Sequence, residues 1–140
     1  MIRRLTENDI DKLFELEKEC FFDNWSKNML TDELKKETSY IYGKFLFDEL
    51  VGYILLNKCA DELEILKICV DKHERKKGIG KQLINFSFEN IVNVSSVFLE
   101  VRKSNESAIK LYEKCGFLII GERKKYYKDN EDAVLMTKVL

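Results

Sequence analysis

Apolar and polar residues alternate along this chain in two periods, and the switches between them lay out its elements. "MIRRL" opens as a short strand, and Thr6 stands where a helix N-cap belongs, ahead of a helix running to about Phe21 with Ile10, Leu13 and Phe14 on one face. Ser26 offers a second N-cap before "KNMLTDELKKE". The runs "SYIYGKFLF" and "LVGYILLNK" are rich in β-branched and aromatic residues and are separated by "DE", which suits a hairpin; "ELEILKICV" is a third run of the same type. From Gly80 to about Asn93 the helical period returns. Its two adjacent stripes, Ile79, Leu83, Phe86 and Ile84, Phe88, Ile91, make a face wide enough to predict deep burial. "SSVFLEV" reads as a strand, and a helix follows from Asn105 with Ala108, Leu111, Tyr112 and Cys115 at the i, i+3, i+4, i+7 positions. Gly116 ends it, with Phe117 folding back in a Schellman cap. "FLIIGERKKYY" and "DAVLMTKVL" complete the pattern as two long antiparallel strands.

Strands before and after helices in this order predict an α+β fold: a mixed, mostly antiparallel central sheet flanked by helices, in one domain over residues 1–140. There is no internal repeat, and with no proline in the chain the turns fall to Gly, Asn, Asp and Ser. The 24 basic and 25 acidic side chains leave a formal charge of −1, so no bulk attraction to nucleic acid or an anionic membrane is expected and any anion site must be local. "MIRRLTENDIDKL" carries charges every few residues, and no run approaches ~20 uncharged apolar residues, which points to the cytoplasm and to no membrane partner. Cys20, Cys59, Cys69 and Cys115 show neither C-x-x-C spacing nor a histidine cluster and read as small buried hydrophobes, with no metal site. His73, the only histidine, sits in a charged loop where a solvated side chain is expected.

One stretch asks for a ligand. In "VDKHERKKGIGKQLI" an apolar strand ends, positive charges follow, and two glycines precede an apolar helix. Backbone N–H groups of the Gly78-Ile79-Gly80 turn at a helix start can hold a pyrophosphate, and Arg75, Lys76, Lys77 and Lys81 add local charge. The P-loop pattern fails because Gln82 follows Gly80-Lys81, and the dinucleotide fingerprint fails because Leu83 stands where a third glycine is needed.

What remains, R-x-x-G-x-G from Arg75 to Gly80, resembles motif A of the GNAT acetyltransferases. "LEVRKSNESAIKLYEKCGF" resembles the more specific signature of the bacterial ribosomal-protein-alanine N-acetyltransferases, as do "CFFDNWS" and "ERKKYYKDNEDAVLM", so the similarity spans nearly the whole chain. Two departures flank the substrate side: Asn24 precedes Trp25 where the family usually has proline, and Lys67 stands where many members have asparagine.

The resemblance implies a GNAT fold, acetyl-CoA as donor and a protein N-terminus, that of a ribosomal protein, as acceptor. It implies direct transfer in a ternary complex, with Glu100 as base and Tyr112 as acid toward the leaving thiolate. In "VFLEVR", Val97, Leu99 and Val101 share one strand face and Glu100 the other, so its carboxylate lies amid apolar sequence, where desolvation would raise its pKa. By the resemblance, Ile68, Cys69 and Val70 offer backbone contacts to the donor from a strand that splays from its neighbour, and Asn105 contacts the donor as well; its residue type equally suits a helix N-cap. Trp25, Tyr126 and Tyr127 are candidate walls of the acceptor site, and Arg123, Lys124, Lys125 and Lys128 read as a solvated strand end. The alternatives left open are an acetyltransferase for a small amine or another protein N-terminus, and a catalytically silent CoA-binding module.

Overall fold

The computed structural model describes residues 1–140. Seven strands form one sheet in the order β1-β2-β3-β4-β5-β7-β6. They are β1 (Ile2–Arg4), β2 (Ser39–Leu46), β3 (Glu49–Cys59), β4 (Glu62–Val70), β5 (Ser96–Arg102), β6 (Leu118–Arg123) and β7 (Ala133–Val139); four helices, α1 (Ile10–Cys20), α2 (Lys27–Lys35), α3 (Ile79–Asn90) and α4 (Glu106–Lys114), cover it. Every neighbouring pair is antiparallel except β4 and β5. The parallel step requires a crossover, and α3 supplies it. This is the expected mixed, mostly antiparallel α+β sheet.

Strand alternation divides the core into two layers. Residues such as Ile54, Leu56, Leu63, Ile65, Val97, Leu99 and Val101 meet Leu83, Ile84, Tyr112 and Phe117 on the α3/α4 side. On the other side Ile41, Phe45, Tyr53, Leu55 and Cys69 meet Leu13, Leu16 and Leu30 of α1 and α2. The second layer stops at β4, so the face of β5 that carries Phe98, Glu100 and Arg102 has no helix over it.

Most local signals hold. The Ser26 hydroxyl accepts from the Met29 amide at 3.1 Å, capping α2. After α4 the Gly116 amide donates to the Glu113 carbonyl and the Phe117 amide to the Tyr112 carbonyl, both at 3.0 Å, with Gly116 at φ 95°: the Schellman pattern. Three boundaries differ. Thr6 caps a short 3-10 turn over Glu7–Asp9, and α1 follows from Ile10. The β2–β3 turn is made by Phe47 and Asp48, both at positive φ, in place of "DE". β6 stops at Arg123, so Tyr126 and Tyr127 lie in the β6–β7 loop: the Lys125 amide turns away to the Asp132 carboxylate at 2.9 Å, and Lys125 itself takes φ 53°, which a strand cannot continue through.

The two glycines at the start of α3 serve different ends. Gly78 adopts φ 83° with open space around it, so its requirement is conformational. Gly80 is buried, and a Cβ there would stand 2.9 Å from Leu111 Cδ2. Its missing side chain lets α3 approach α4. Gly80→Ala is expected to cost about 1–2 kcal/mol in urea unfolding. In a Leu111→Ala background the same change should turn neutral or stabilising, because helix propensity alone favours alanine by up to ~1 kcal/mol; an unchanged cost there would refute the packing account.

The cysteines depart from expectation. Cys20, at the end of α1, forms a disulfide with Cys69 of β4 across a sequence separation of 49, while Cys59 is exposed and Cys115 half-buried. Linear spacing could not show this, because the pair meets only when α1 packs on the sheet. Closing that loop restrains the unfolded chain, and reduction is expected to cost about 3–4 kcal/mol of stability. Urea unfolding with and without a thiol reductant checks it, and four free thiols titrated under non-reducing conditions would contradict the bridge.

Candidate active site

The site starts where the parallel pairing ends. β4 pairs with β5 only from Glu62↔Ser96 to Ile65↔Leu99, whereas it stays paired with β3 as far as Gly52↔Val70. A register shift opposite Leu55/Leu56, which leaves Leu66 as the extra residue, bends β4 at the point of departure. From Leu66 to Val70 the β5 side of the strand is free. Backbone groups alternate sides along a strand, and the bond from the Asp71 amide to the Val51 carbonyl at 2.8 Å fixes the register with β3. Ile68 and Val70 therefore turn theirs toward the cleft left beside β5, while those of Cys69 face Tyr53 of β3, which corrects its place among the donor contacts.

The chain leaves Val70 through a tight turn to α3. The first backbone bond of that helix runs from the Gln82 amide to the Gly78 carbonyl at 3.0 Å, so the amides of Ile79, Gly80 and Lys81 find no carbonyl in the helix. The Ile79 side chain is buried in the core while its amide stays at the helix start. Arg75 and Lys76 are exposed, and Arg75 Nε donates to the Val70 carbonyl at 3.0 Å, tying the loop to the strand end. Lys77 pairs with Glu74 at 2.7 Å, and Lys81 is exposed on the first turn. Unpaired amides, a helix dipole and cationic side chains match the chemistry of a pyrophosphate, and open space at Gly78 leaves room for it.

Glu100 lies beside the cleft on the uncovered face. Its side chain is 15% exposed and its Oε1 stands 3.4 Å from Arg123 Nε. Tyr126 approaches it from the β6–β7 loop, and hydrogen bonding toward this carboxylate raises the Tyr126 phenol above its ordinary range. Glu64 shares the face, since it stands opposite Phe98 in the β4–β5 ladder. Burial, then the charges of Glu100 and Glu62, push the Glu64 carboxyl up, and Arg123 opposes them.

Tyr112 reaches the cleft from the opposite layer. It is buried on α4, edge-to-face with Phe117 at 5.7 Å, and burial, then Cys115 and Tyr127, raise its pKa. Asn105 caps α4: its Oδ1 accepts from the Ala108 amide at 3.2 Å and from the Ser107 hydroxyl at 3.3 Å. That oxygen is committed to the helix, which leaves only the side-chain amide for a ligand.

Of the three acceptor-side candidates, the two tyrosines stand on the Glu100 side. Tyr126 and Tyr127 meet edge-to-face at 5.1 Å. Trp25 is held by a buried ionic cluster that sequence reasoning missed. Glu17, wholly buried on α1, accepts from the Trp25 amide at 2.7 Å, from Lys67 Nζ at 2.6 Å and from the Tyr53 hydroxyl. The Lys67 ammonium stands 4.5 Å from both the Phe21 and Trp25 ring centroids, and burial lowers its pKa against the pull of Glu17. A glutamate on the same stripe as Leu13 and Leu16 was the available signal. Two of the four basic residues at this strand end are matched: Arg123 faces Glu100, and Lys124 pairs with Glu122 at 2.9 Å and Asp132 at 3.2 Å.

A seven-stranded sheet splayed at its one parallel step, with an anion-binding helix start beside the opening, is the architecture of an acyl-CoA-dependent transferase. The profile of the acetyltransferase (GNAT) family matches residues 10–117, and the chain belongs to that family. A [ribosomal protein bS18]-alanine N-acetyltransferase from Haemophilus ducreyi is 31% identical, with 100% of both chains covered. An N-alpha-acetyltransferase from Sulfurisphaera tokodaii is 29% identical, covering 99% of this chain and 92% of its own. The crystal structure of the ribosomal-protein-S18-alanine N-acetyltransferase from Escherichia coli superposes with a TM-score of 0.92 at 26% identity, covering 99% of this chain and 92% of that one. The chain is thus an N-acetyltransferase of GNAT type, an enzyme class whose donor is acetyl-CoA. No helix is long and apolar enough to cross a membrane.

Removing the Lys67 ammonium would leave a buried carboxylate short of a partner. Lys67→Met is expected to cost about 3 kcal/mol in urea unfolding. Adding Glu17→Gln should return part of that loss, and simple additivity in this cycle would rule out the coupling.

Proposed function

We propose that this protein acetylates the α-amino group of a protein N-terminus, and that the N-terminal alanine of a small ribosomal subunit protein is its acceptor. The observation that carries the reading is the opening between β4 and β5 beyond Ile65↔Leu99, with Glu100 on the uncovered face of β5 and Tyr112 in the opposite layer. The relatives from Haemophilus ducreyi and Escherichia coli, named for alanine acetylation of this ribosomal protein, support the choice of acceptor. The Sulfurisphaera tokodaii relative, whose name gives no particular N-terminus, favours a second reading in which the acceptor set is wider.

Acetyl-CoA supplies the acetyl group as a thioester, which an amine attacks only in its neutral form. An α-ammonium has a pKa of ~7.7 to 8.0, so one accessible proton must be taken up near neutrality. Glu100 accepts it, and the neighbouring Glu64 adds negative charge to the same face. Amides of Ile68 and Val70 along the freed edge of β4 offer donors to the thioester oxygen and the donor's amides, and those of Ile79, Gly80 and Lys81 hold the pyrophosphate. Tyr112 holds a proton for the departing thiolate. Its burial keeps the phenol fully protonated at neutral pH, which secures the acid form and makes close approach the condition for transfer. Trp25, Tyr126 and Tyr127 wall the approach of an extended peptide.

Glu100→Gln and Tyr112→Phe are each expected to lower kcat by about 10²-fold or more. The acetyl-CoA KM should stay within about threefold, because neither side chain belongs to the pyrophosphate site. Thiol release with an alanine-starting peptide measures both, and full turnover in the two variants would overturn the assigned roles. Mass spectrometry of acetylated N-termini after incubation with acetyl-CoA and cell extract identifies the acceptor; acetylation confined to small amines would overturn the protein-N-terminus reading.

A further inference from the structure

Arg102 ends β5 two residues beyond Glu100, on the same face, and its guanidinium gathers groups from both sides of the opening. Nη1 donates to Asp129 Oδ2 at 2.9 Å and Oδ1 at 3.0 Å, and to Glu131 Oε1 at 3.1 Å. The guanidinium carbon stacks 4.1 Å from the Tyr127 ring centroid. Nη2 stands 3.8 Å from Asp23 Oδ2 on the segment between α1 and α2. Glu131 also accepts from the Ser104 amide at 3.0 Å, which extends the network to the start of α4.

These partners fall on two loops. Residues 21–26 carry Asp23 and Trp25; residues 124–132 carry Tyr126, Tyr127, Asp129 and Glu131. Their side-chain link runs through the one guanidinium. We propose that Arg102 is a positioning residue that clamps these two loops into a single acceptor-side wall and thereby sets how firmly the acceptor peptide is held. A planar fork that binds carboxylates on its edge and stacks an aromatic ring on its face can make all these contacts at once; an ammonium cannot. The pull of Arg102 adds to the Ser104 hydrogen bonds that hold the Glu131 carboxyl below its ordinary range.

The proposal rests on the protein-N-terminus reading for its effect on the acceptor, while the clamp itself can be measured without turnover. Trp25 is the only tryptophan, so its accessibility to iodide reports on residues 21–26, and amide hydrogen exchange reports on both loops. Arg102→Ala is expected to speed exchange in both loops by about tenfold. It should also raise the acceptor-peptide KM by about tenfold, with the acetyl-CoA KM and kcat within about threefold. Arg102→Lys should leave most of the defect in place. Should Arg102→Ala fail to fold, two milder variants separate the arms: Asp23→Asn should loosen residues 21–26 alone, and Asp129→Asn residues 124–132 alone. Unchanged exchange in both loops would overturn the clamp. Loosened loops with an unchanged acceptor KM would overturn its role in holding the acceptor. If no peptide is turned over by the native protein, the acceptor reading fails while exchange still decides the clamp.

Discussion

The structure depends on one interrupted ladder. β4 follows β3 to its end but leaves β5 after Ile65↔Leu99, and in a continuous sheet those backbone groups would be paired and closed to any ligand. Separation costs hydrogen bonds, so something must hold the strands apart. On one side α4 brings Leu111 against Gly80 at the head of α3; on the other Glu17 pins Lys67, and the disulfide pins Cys69. The opening is thus held by packing on both layers, and it exposes backbone donors without unfolding the strand.

A cleft that passes through the sheet explains how two layers serve one site. Phe98, Glu100 and Arg102 face the side that α1 and α2 do not reach, whereas Tyr112 belongs to the opposite core. An uninterrupted sheet would keep them apart by its full thickness. The splay removes that barrier where β4 leaves β5. In the proposed mechanism, proton uptake and proton delivery then come from opposite faces of the sheet.

Local signals in the sequence were legible wherever a residue answers to its own backbone. Ser26, Asn105 and Gly116 act as caps because their chemistry is decided within one turn. Element order and the mixed sheet follow from periodicity for the same reason. The motif residues at Arg75 to Gly80 and Glu100 to Tyr112 were legible through resemblance, and they lie at the head of α3, on β5 and on α4, the elements that flank the β4–β5 separation. What escaped were pairings across sequence distance. Cys20 with Cys69, Glu17 with Lys67, Glu100 with Arg123 and Gly80 with Leu111 each need the fold before either partner acquires its meaning. Gly80 is the instructive case, since its motif position suggested an anion contact and its geometry shows helix packing. Both needs meet at one residue, because the helix can offer its amides only if it sits close against α4.

The two departures from the family pattern acquire a physical sense together. Asn24 replaces a rigid proline, and its side-chain amide donates to the Trp25 carbonyl at 3.1 Å, a local bond in place of a ring constraint. Lys67 sits beneath the same tryptophan, between its ring, that of Phe21 and the Glu17 carboxylate. An asparagine there could not reach two aromatic faces and a buried acid at once. The segment that a proline would stiffen is instead fastened from below by a desolvated ion pair and from the side by Arg102. Such fastening is conditional on charge, whereas a proline ring is not, so the segment around Trp25 responds to its electrostatic surroundings in a way that a proline-stiffened one would not.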